Sequence, residues 1–198
     1  MIVIGLTGNT GSGKSTVAHI WKDKRGALLI DADEIGRQVV NPGSETLELL
    51  VKRFGSEILL PDGSLDRRRT AELAFTGEES LQALNSIVHP AIIRSINSLL
   101  RTALAEGVSA VVIDAALLYE FGFDRSVDVM VAVDAPREVK IARMLSKGKL
   151  ERRTIERMLD LQMDPAEMKK MAGWVIENDG GLEELESKAL ELFDRLVQ

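Results

Sequence analysis

The chain of 198 residues contains no cysteine, which excludes disulfide bonds and thiolate metal sites. No apolar run approaches the ~18 residues that a membrane-spanning helix requires, and we expect no signal peptide because residues 1–6 already read as a strand. Basic residues are not in surplus. The net charge of −6 argues against a general nucleic-acid-binding protein, although a local basic pocket is compatible with it. These absences predict a cytoplasmic protein with no membrane or nucleic-acid partner.

One glycine-rich segment carries most of the functional information. Residues 8–16 read Gly-Asn-Thr-Gly-Ser-Gly-Lys-Ser-Thr and match G-x-x-x-x-G-K-S/T, between an apolar strand and the start of a helix. Glycines let successive N–H groups point at phosphate oxygens, and the positive end of the following helix strengthens that anion site. The pattern predicts that this P-loop binds a nucleoside triphosphate through Gly11, Ser12, Gly13, Lys14, Ser15 and Thr16. Lys14 would reach the β- and γ-phosphates, and the Ser15 hydroxyl would bind Mg²⁺.

Short apolar runs alternate with longer amphipathic stretches along the chain. Because the runs are apolar throughout, they suit strands of a parallel sheet covered by helices on both faces. The alternation predicts a doubly wound α/β fold with its ligands at the carboxyl ends of the strands. Asp31, Asp114 and Asp134 close three of these runs, either as site residues or only as turn-formers and caps. The runs are residues 1–6, 27–31, 110–114, 127–133 and 174–176.

The strand pattern gives way to helical periodicity between the second and third runs. We predict a helical insertion over about residues 34–107, placed where a kinase would hold its acceptor. The core of this single domain would then comprise about residues 1–33 and 108–198. The helical stretches of the insertion are residues 45–54, 66–75, 81–88 and 91–106.

Basic residues crowd in a second segment, which we predict to be a lid over about residues 143–170. These side chains belong either to a mobile flap that closes over phosphates or to a solvated helix surface. The basic residues of the lid segment are Arg143, Lys147, Lys149, Arg152, Arg153 and Arg157.

Beyond this segment, the pattern of residues 181–198 predicts an amphipathic helix that packs on the sheet. Its apolar positions are Leu182, Leu185, Ala189, Leu192 and Leu196.

A P-loop alone is compatible with GTPases, ATP-driven motors and small-molecule kinases. The chain lacks the N-K-x-D sequence that a GTPase usually needs for guanine, and the D-x-x-G match at residues 33–36 is accidental. A small-molecule kinase fits the length best, and it needs a carboxylate near the acceptor hydroxyl. Asp33, after the second strand, is the candidate, and Asp31 would be buried and structural. Asp33 is equally compatible with an N-cap for a helix that starts at Glu34.

The sequence resembles the dephospho-coenzyme A kinase family. The motifs that carry the resemblance occur in the family's order over nearly the whole chain. The Asp-Ala-Asp, His-Pro and Leu-Leu-Tyr-Glu sequences are more specific than the P-loop. The resemblance implies transfer of the γ-phosphoryl group of ATP to the ribose 3′-hydroxyl of dephospho-CoA. It also implies a P-loop kinase fold with a five-stranded parallel core, a helical CoA-binding insertion and a lid. The segments that carry it are residues 8–16, 31–33 with Arg37, 41–43, 54–55, 62–63, 66–67, 87–90, 114–120, 162–163 and 172–180.

The resemblance further implies roles for residues around ATP. Asp33 would be the general base for the 3′-hydroxyl, and Lys14 would stabilise the transferring phosphoryl group. Ser15 would hold Mg²⁺, and Asp114 would act on the ion through a water in the manner of a Walker-B carboxylate. Arg143 is the lid residue that would meet the ATP phosphates.

Three further residues would face the dephospho-CoA substrate. Arg37 and Arg67 are candidates for its phosphates, with a surface salt bridge as the alternative. His89 belongs to the His-Pro motif beside the substrate region, where a capping or packing role is equally compatible. Pro90 would start the long helix that follows.

Two positions depart from the family pattern. Ala116 stands where the family usually has proline, which would only stiffen a loop. Lys147-Gly148 stands where family lids often carry an Arg-Asp pair, so a bidentate fork is lost although the charge remains. A kinase for another nucleotide or metabolite, and an ATP-binding regulatory module, stay as alternatives. Retention of Lys14, Ser15 and Asp33 together argues against a module that only binds.

Overall fold

The computed structural model describes residues 1–115, 118–119, 126–148 and 150–198. Its contacts divide the chain into two compact units. The sheet unit comprises Met1–Asp31 and Thr102–Gln198, and the helical unit comprises Ala32–Arg101. Across the described ranges, no helix combines the length and apolar character needed to cross a membrane.

The chain alternates strands with helices, as the sequence pattern predicts. The strands are β1 (Ile2–Thr7), β2 (Leu28–Asp31), β3 (Ala110–Asp114), β4 (Val129–Asp134) and β5 (Trp174–Glu177). The helices are α1 (Lys14–Arg25), α2 (Ala32–Gln38), α3 (Glu45–Phe54), α4 (Arg67–Ala74), α5 (Glu78–Ala105), α6 (Arg137–Ser146), α7 (Arg152–Asp160), α8 (Pro165–Met171) and α9 (Leu182–Leu196).

The strands form one parallel, five-stranded sheet with the order β2-β3-β1-β4-β5. The central strand is β1, which leads directly into the P-loop. The register aligns Leu6 with Asp114 and Asp114 with Asp31, so the carboxyl ends of β1, β2 and β3 meet at one edge of the sheet. The predicted α/β fold with a five-stranded parallel sheet flanked by helices is confirmed.

Helices α1 and α9 bury one face of this sheet. Trp21 is the largest side chain of the core, and its ring lies 5.6 Å from that of Phe193. Its Nε1–H donates to the carbonyl oxygen of Ala189 at 2.7 Å, which satisfies the polar atom of a fully buried indole. The predicted packing of α9 is confirmed for Leu185 and Leu192 but is wrong for Leu182, which is exposed because it starts the helix beyond the edge of the core.

The helical unit has an apolar core of its own. Val40, Leu50 and Ile58 are buried, and partly buried residues of α3, α4 and α5 pack around them. Ser44 and Asp66 fix the starts of α3 and α4 because their side-chain oxygens accept the N–H groups of Leu47 and Arg69.

Helix α5 runs continuously through Pro90, which corrects the prediction that this proline starts a helix. Proline removes one helical hydrogen bond and is unfavourable in a helix interior. Here the helix is stabilised by packing on both sides of the proline. On the amino-terminal side of Pro90, Ile87 and Val88 pack against the core of the helical unit. On its carboxy-terminal side, Ile92 and Ile96 are buried.

Candidate active site

The P-loop connects Thr7 at the end of β1 to Lys14 at the start of α1. Gly11 and Gly13 have φ values of 83° and 99°, a region that favours glycine. A Cβ atom on Gly11 would also lie 2.8 Å from the carbonyl oxygen of Lys140, and one on Gly8 would lie 2.5 Å from that of Val133. The loop is therefore packed closely against β4 and α6, which leaves no room for larger residues at these glycines.

Lys14 and Asp114 form an ion pair at the carboxyl edge of the sheet. The Nζ atom of Lys14 contacts Oδ1 of Asp114, and the two side chains are only 12% and 9% exposed. The register of β1 and β3 explains this contact, because it brings Asp114 beside the strand that enters the P-loop. The structure thus joins two residues that sequence analysis assigned separately.

Arg143, on α6, lies against the backbone of the P-loop. Its Nη1 donates to the carbonyl oxygens of Gly11 and Ser12 at 3.5 and 3.4 Å, and its Nη2 donates to Oδ1 of Asn178 at 3.0 Å. Asn178, which is 3% exposed, also donates from Nδ2 to the Ser12 carbonyl at 2.7 Å. Sequence analysis missed this asparagine as a site residue, although it lies within the segment 172–180 that carried the family resemblance.

A second missed contact involves the segment between α7 and α8. Gln162 accepts the backbone N–H of Thr10 at 3.0 Å and donates from Nε2 to the Thr10 hydroxyl at 2.7 Å. Asn9 donates from Nδ2 to the carbonyl oxygen of Met163 at 3.1 Å. These hydrogen bonds tie the first half of the P-loop to a part of the predicted lid. Gln162 and Met163 were part of the family pattern, which was the one available signal.

Asp134, at the end of β4, is part of a buried ion cluster. Its two carboxylate oxygens lie 2.8 Å from Nζ of Lys140 and 2.8 Å from Nζ of Lys169. Burial alone would raise the pKa of Asp134, but the two ammonium groups outweigh it and hold this pKa below its ordinary value. The cluster joins β4 to α6 and α8, so Asp134 has a structural role.

Replacement of Asp134 by asparagine is expected to destabilise the fold by roughly 3–5 kcal/mol, because Lys140 would keep a buried charge without its counterion. Urea denaturation at pH 7 measures this loss. The lowered pKa means that the contribution is present above the ordinary value of 3.8 and disappears as the pH falls through the folded-state pKa. The difference between the two proteins should therefore shrink in acid. Asp194→Asn, which breaks an exposed pair with Arg25, is the matched control and should change stability little.

Two cavities adjoin the P-loop. One, of about 210 Å³, borders the start of α1 and the loop after β5. The other, of about 260 Å³, borders the ion cluster of Asp134. The smaller cavity is lined by Gly13, Thr16, Arg143, Asn178, Gly181, Leu182 and Leu185. The larger is lined by Asn9, Asp134, Ala135, Pro136, Arg137, Lys140, Leu159 and Pro165.

The Asp-Ala-Asp sequence spans the end of β2 and the start of α2. Asp33 is exposed in the first turn of α2, which begins at Ala32, so the alternative that Asp33 is an N-cap before Glu34 is wrong. Asp31 is also exposed rather than buried. The sheet order explains this, because β2 is an edge strand and Asp31 is its last residue.

The predicted substrate residues all lie in the helical unit. Nη1 of Arg37 forms an exposed ion pair with Glu34 at 2.8 Å, which together with a hydrogen bond from Gln38 lowers the pKa of Glu34. Nη2 of Arg67 donates to the carbonyl oxygen of Arg37 at 3.3 Å, so the two arginines are neighbours. His89 is half-buried in α5, and burial lowers its pKa.

The predicted lid segment covers parts of α6 and α8 and the whole of α7. Arg152 is exposed and pairs with Glu138 and Glu156. Gly148 adopts a φ of 66° just after α6, which gives a local reason for glycine at this departure from the family pattern. Ala116, Lys149 and the first and last residues of the Leu-Leu-Tyr-Glu sequence, Leu117 and Glu120, lie outside the described residues.

Among the residues that the structure describes, no group of three or more His, Asp or Glu side chains could hold a metal ion. The predicted ligands are the hydroxyl of Ser15, in the first turn of α1, and the carboxylate of Asp114, at the end of β3. Oxygen ligands of this kind suit Mg²⁺, which takes few protein ligands and completes its shell with phosphates and water.

Comparison with known proteins identifies the family. The sequence model described as dephospho-CoA kinase (CoaE) matches residues 2–184. A dephospho-CoA kinase of Corynebacterium diphtheriae is 43% identical over 197 residues, which cover 100% of this chain and 98% of that protein. The crystal structure of TT1252 from Thermus thermophilus is 34% identical, with a TM-score of 0.83 over 100% of this chain and 98% of that one.

A more distant structure shares the fold. Dephospho-CoA kinase from Campylobacter jejuni is 22% identical, with a TM-score of 0.73 over 98% of this chain and 96% of that one. The family model matches residues 2–184, and the similarity to the corynebacterial relative covers the whole chain. This chain therefore belongs to the dephospho-CoA kinase family.

Proposed function

We propose that this protein transfers the γ-phosphoryl group of ATP to the ribose 3′-hydroxyl of dephospho-CoA, giving coenzyme A and ADP. This reaction is the last step of coenzyme A biosynthesis. The observation that carries the proposal is the P-loop with its Lys14–Asp114 pair, in a chain that belongs to the dephospho-CoA kinase family. A cytoplasmic location is part of the proposal and agrees with a chain that has no cysteine.

The P-loop supplies positive potential for the triphosphate. Backbone N–H groups of the loop and of the first turn of α1 would bind its oxygens. Lys14 would exchange part of its contact with Asp114 for the β- and γ-phosphates and stabilise the charge on the transferring group. The cavity of about 210 Å³ beside Gly13 and Thr16 would take the nucleoside part of ATP, with Arg143 at its wall near the phosphates.

Ser15 and Asp114 are the residues that would hold Mg²⁺, Ser15 directly and Asp114 through a water. Bound to the nucleotide, the ion would neutralise charge on the β- and γ-phosphates. Asp114 is suited to this task because it is 9% exposed in its side chain and already faces a cation, the ammonium group of Lys14. The carboxylate would thus serve both Lys14 and the hydrated ion.

Asp33 would accept the proton of the 3′-hydroxyl and orient this nucleophile. Phosphoryl transfer leaves little covalent work to the protein, so the proton would move late and Asp33 would act mainly by positioning. The insertion of about residues 34–107 would bind dephospho-CoA, with Arg37 and Arg67 on its phosphates and His89 nearby. Both arginine charges act on the carboxylate of Glu34 and lower its pKa, which supports an anion site that the two share. Residues 143–170 would act as the lid.

An ADP-release assay with ATP, Mg²⁺ and dephospho-CoA tests the proposal, with AMP, adenosine and pantetheine phosphate as rival acceptors. We expect ADP only with dephospho-CoA and a product with the mass of CoA. Turnover with a rival acceptor and not with dephospho-CoA would show that the proposed acceptor is wrong, while the proposed kinase activity would stand. No turnover with any acceptor would contradict the proposal that this protein is an enzyme and would favour an ATP-binding regulatory module.

A further inference from the structure

The peptide bond between Ser12 and Gly13 is held from outside the P-loop. The carbonyl oxygen of Ser12 accepts hydrogen bonds from Nδ2 of Asn178 at 2.7 Å and from Nη1 of Arg143 at 3.4 Å. Oδ1 of Asn178 in turn accepts from Nη2 of Arg143 at 3.0 Å, so the amide is fixed in the orientation that donates to Ser12. The Ser12 carbonyl therefore points toward the loop after β5.

This arrangement sets the direction of the next N–H group. A trans peptide unit is planar, so the C=O of Ser12 and the N–H of Gly13 point in opposite directions. With the carbonyl held by Asn178, the Gly13 N–H points away from Asn178. Gly13 is the N-cap of α1, and N–H groups at a helix start have no carbonyl partner within the helix and are donors for a bound anion.

We propose that Asn178 is a positioning residue, which turns the Ser12–Gly13 peptide so that the Gly13 N–H faces the nucleotide phosphates. The inference rests on the proposed function of the P-loop as the ATP site. It also accounts for Gly13, because a Cβ atom there would overlap Nδ2 of Asn178. The close approach of the asparagine to the loop thus requires glycine beyond what the φ of 99° already demands.

The backbone of Asn178 has a separate structural role. Its N–H donates to the carbonyl oxygen of Asp134 at 2.7 Å, and its carbonyl accepts from Nη2 of Arg143 at 3.3 Å. Side-chain substitutions leave both contacts possible. Substitutions therefore test the effect of the Asn178 side chain on the P-loop without removing the backbone hydrogen bond between Asn178 and Asp134.

Two substitutions separate the donor from the rest of the side chain. Asn178→Ala removes the donor and the acceptor, whereas Asn178→Asp keeps an acceptor for Arg143 and places a carboxylate oxygen against the Ser12 carbonyl. We expect KM for ATP to rise about tenfold in Asn178→Ala, as for the loss of a buried hydrogen bond, and further in Asn178→Asp. Both kcat and KM for dephospho-CoA should change little, because the contact is made equally in the ground and transition states.

Phe193→Leu, on the buried face of α9, is the control for lost stability and should lower Tm without raising KM for ATP. Asn178→Asp retains the partner of Arg143, so it keeps the test open if Asn178→Ala does not fold. A folded Asn178→Asp protein that binds ATP as tightly as the native protein in calorimetry would overturn the inference. A native protein that fails to bind ATP would instead overturn the proposed function.

Discussion

Asp33→Asn is expected to lower kcat by about 10²-fold or more, the usual contribution of a positioned base, while the affinity for ATP stays close to the native value. Asparagine matches aspartate in size and remains polar, but it cannot accept the proton of the 3′-hydroxyl. Asp33 is exposed in the first turn of α2, so the substitution leaves the apolar cores of the protein unchanged. Steady-state kinetics with both substrates, together with calorimetric ATP binding, measure the two effects separately.

Two further carboxylates serve as comparisons for Asp33. Asp23→Asn makes the same change of charge at an exposed site on α1 and should leave kcat unchanged. Asp31→Asn changes the other aspartate of the Asp-Ala-Asp sequence, for which we expect a smaller loss than at Asp33. Near-native turnover in Asp33→Asn would contradict the role of Asp33 as general base and leave it only a structural role at the start of α2. A collapse of ATP affinity in the same variant would contradict its assignment to the acceptor.

The parts of the fold that the sequence predicted are those with local causes. The P-loop follows from a fixed spacing of glycines, lysine and serine between a strand and a helix. Helix α3 was predicted from helical periodicity near its observed bounds of Glu45–Phe54, and the structure shows that Ser44 caps its start and Gly55 follows its end. The central strands β1, β3 and β4 stood out because they are buried along nearly their whole length, so their residues are apolar without alternation.

The errors depended on tertiary structure instead. The burial of Asp31 was predicted from its place at a strand end, but only the sheet order reveals that β2 is an edge strand. Pro90 reads as a helix start, and it lies within α5 because packing on both sides stabilises the helix through it. Such context outweighs the local preference of a single residue.

The residues that hold the P-loop from outside were also beyond the reach of sequence reasoning. Asn178 and Gln162 contact loop residues that are 166 and 152 positions away in the chain. A polar side chain in a loop after a strand or a helix has the same sequence appearance whether it faces solvent or a carbonyl. The family pattern included both residues, but it gave no chemistry for them. Asp134 is another such case, because its place at a strand end gave no sign that its carboxylate forms ion pairs with two lysines.

Lys14→Met is expected to lower kcat/KM for ATP by about 10²–10³-fold, the range for removing one preorganised donor of transition-state charge stabilisation. Methionine fills a similar volume, so the change removes the charge more than the packing. The side chain of Asp114 is 9% exposed and would lose its cationic partner, so we also expect a lower free energy of unfolding at pH 7. Kinetics and urea denaturation measure the two effects.

The double variant Lys14→Met/Asp114→Asn distinguishes catalysis from stability. With neither charge present, no buried ion remains without a partner, so stability should recover relative to Lys14→Met. Activity should not recover, because the phosphoryl group would still lack the ammonium group and Mg²⁺ would lose a carboxylate. Lys22→Met, at an exposed position of α1, is the control and should match the native protein. If activity returned together with stability in the double variant, Lys14 would serve only to neutralise Asp114, and the proposed phosphate contact would be wrong.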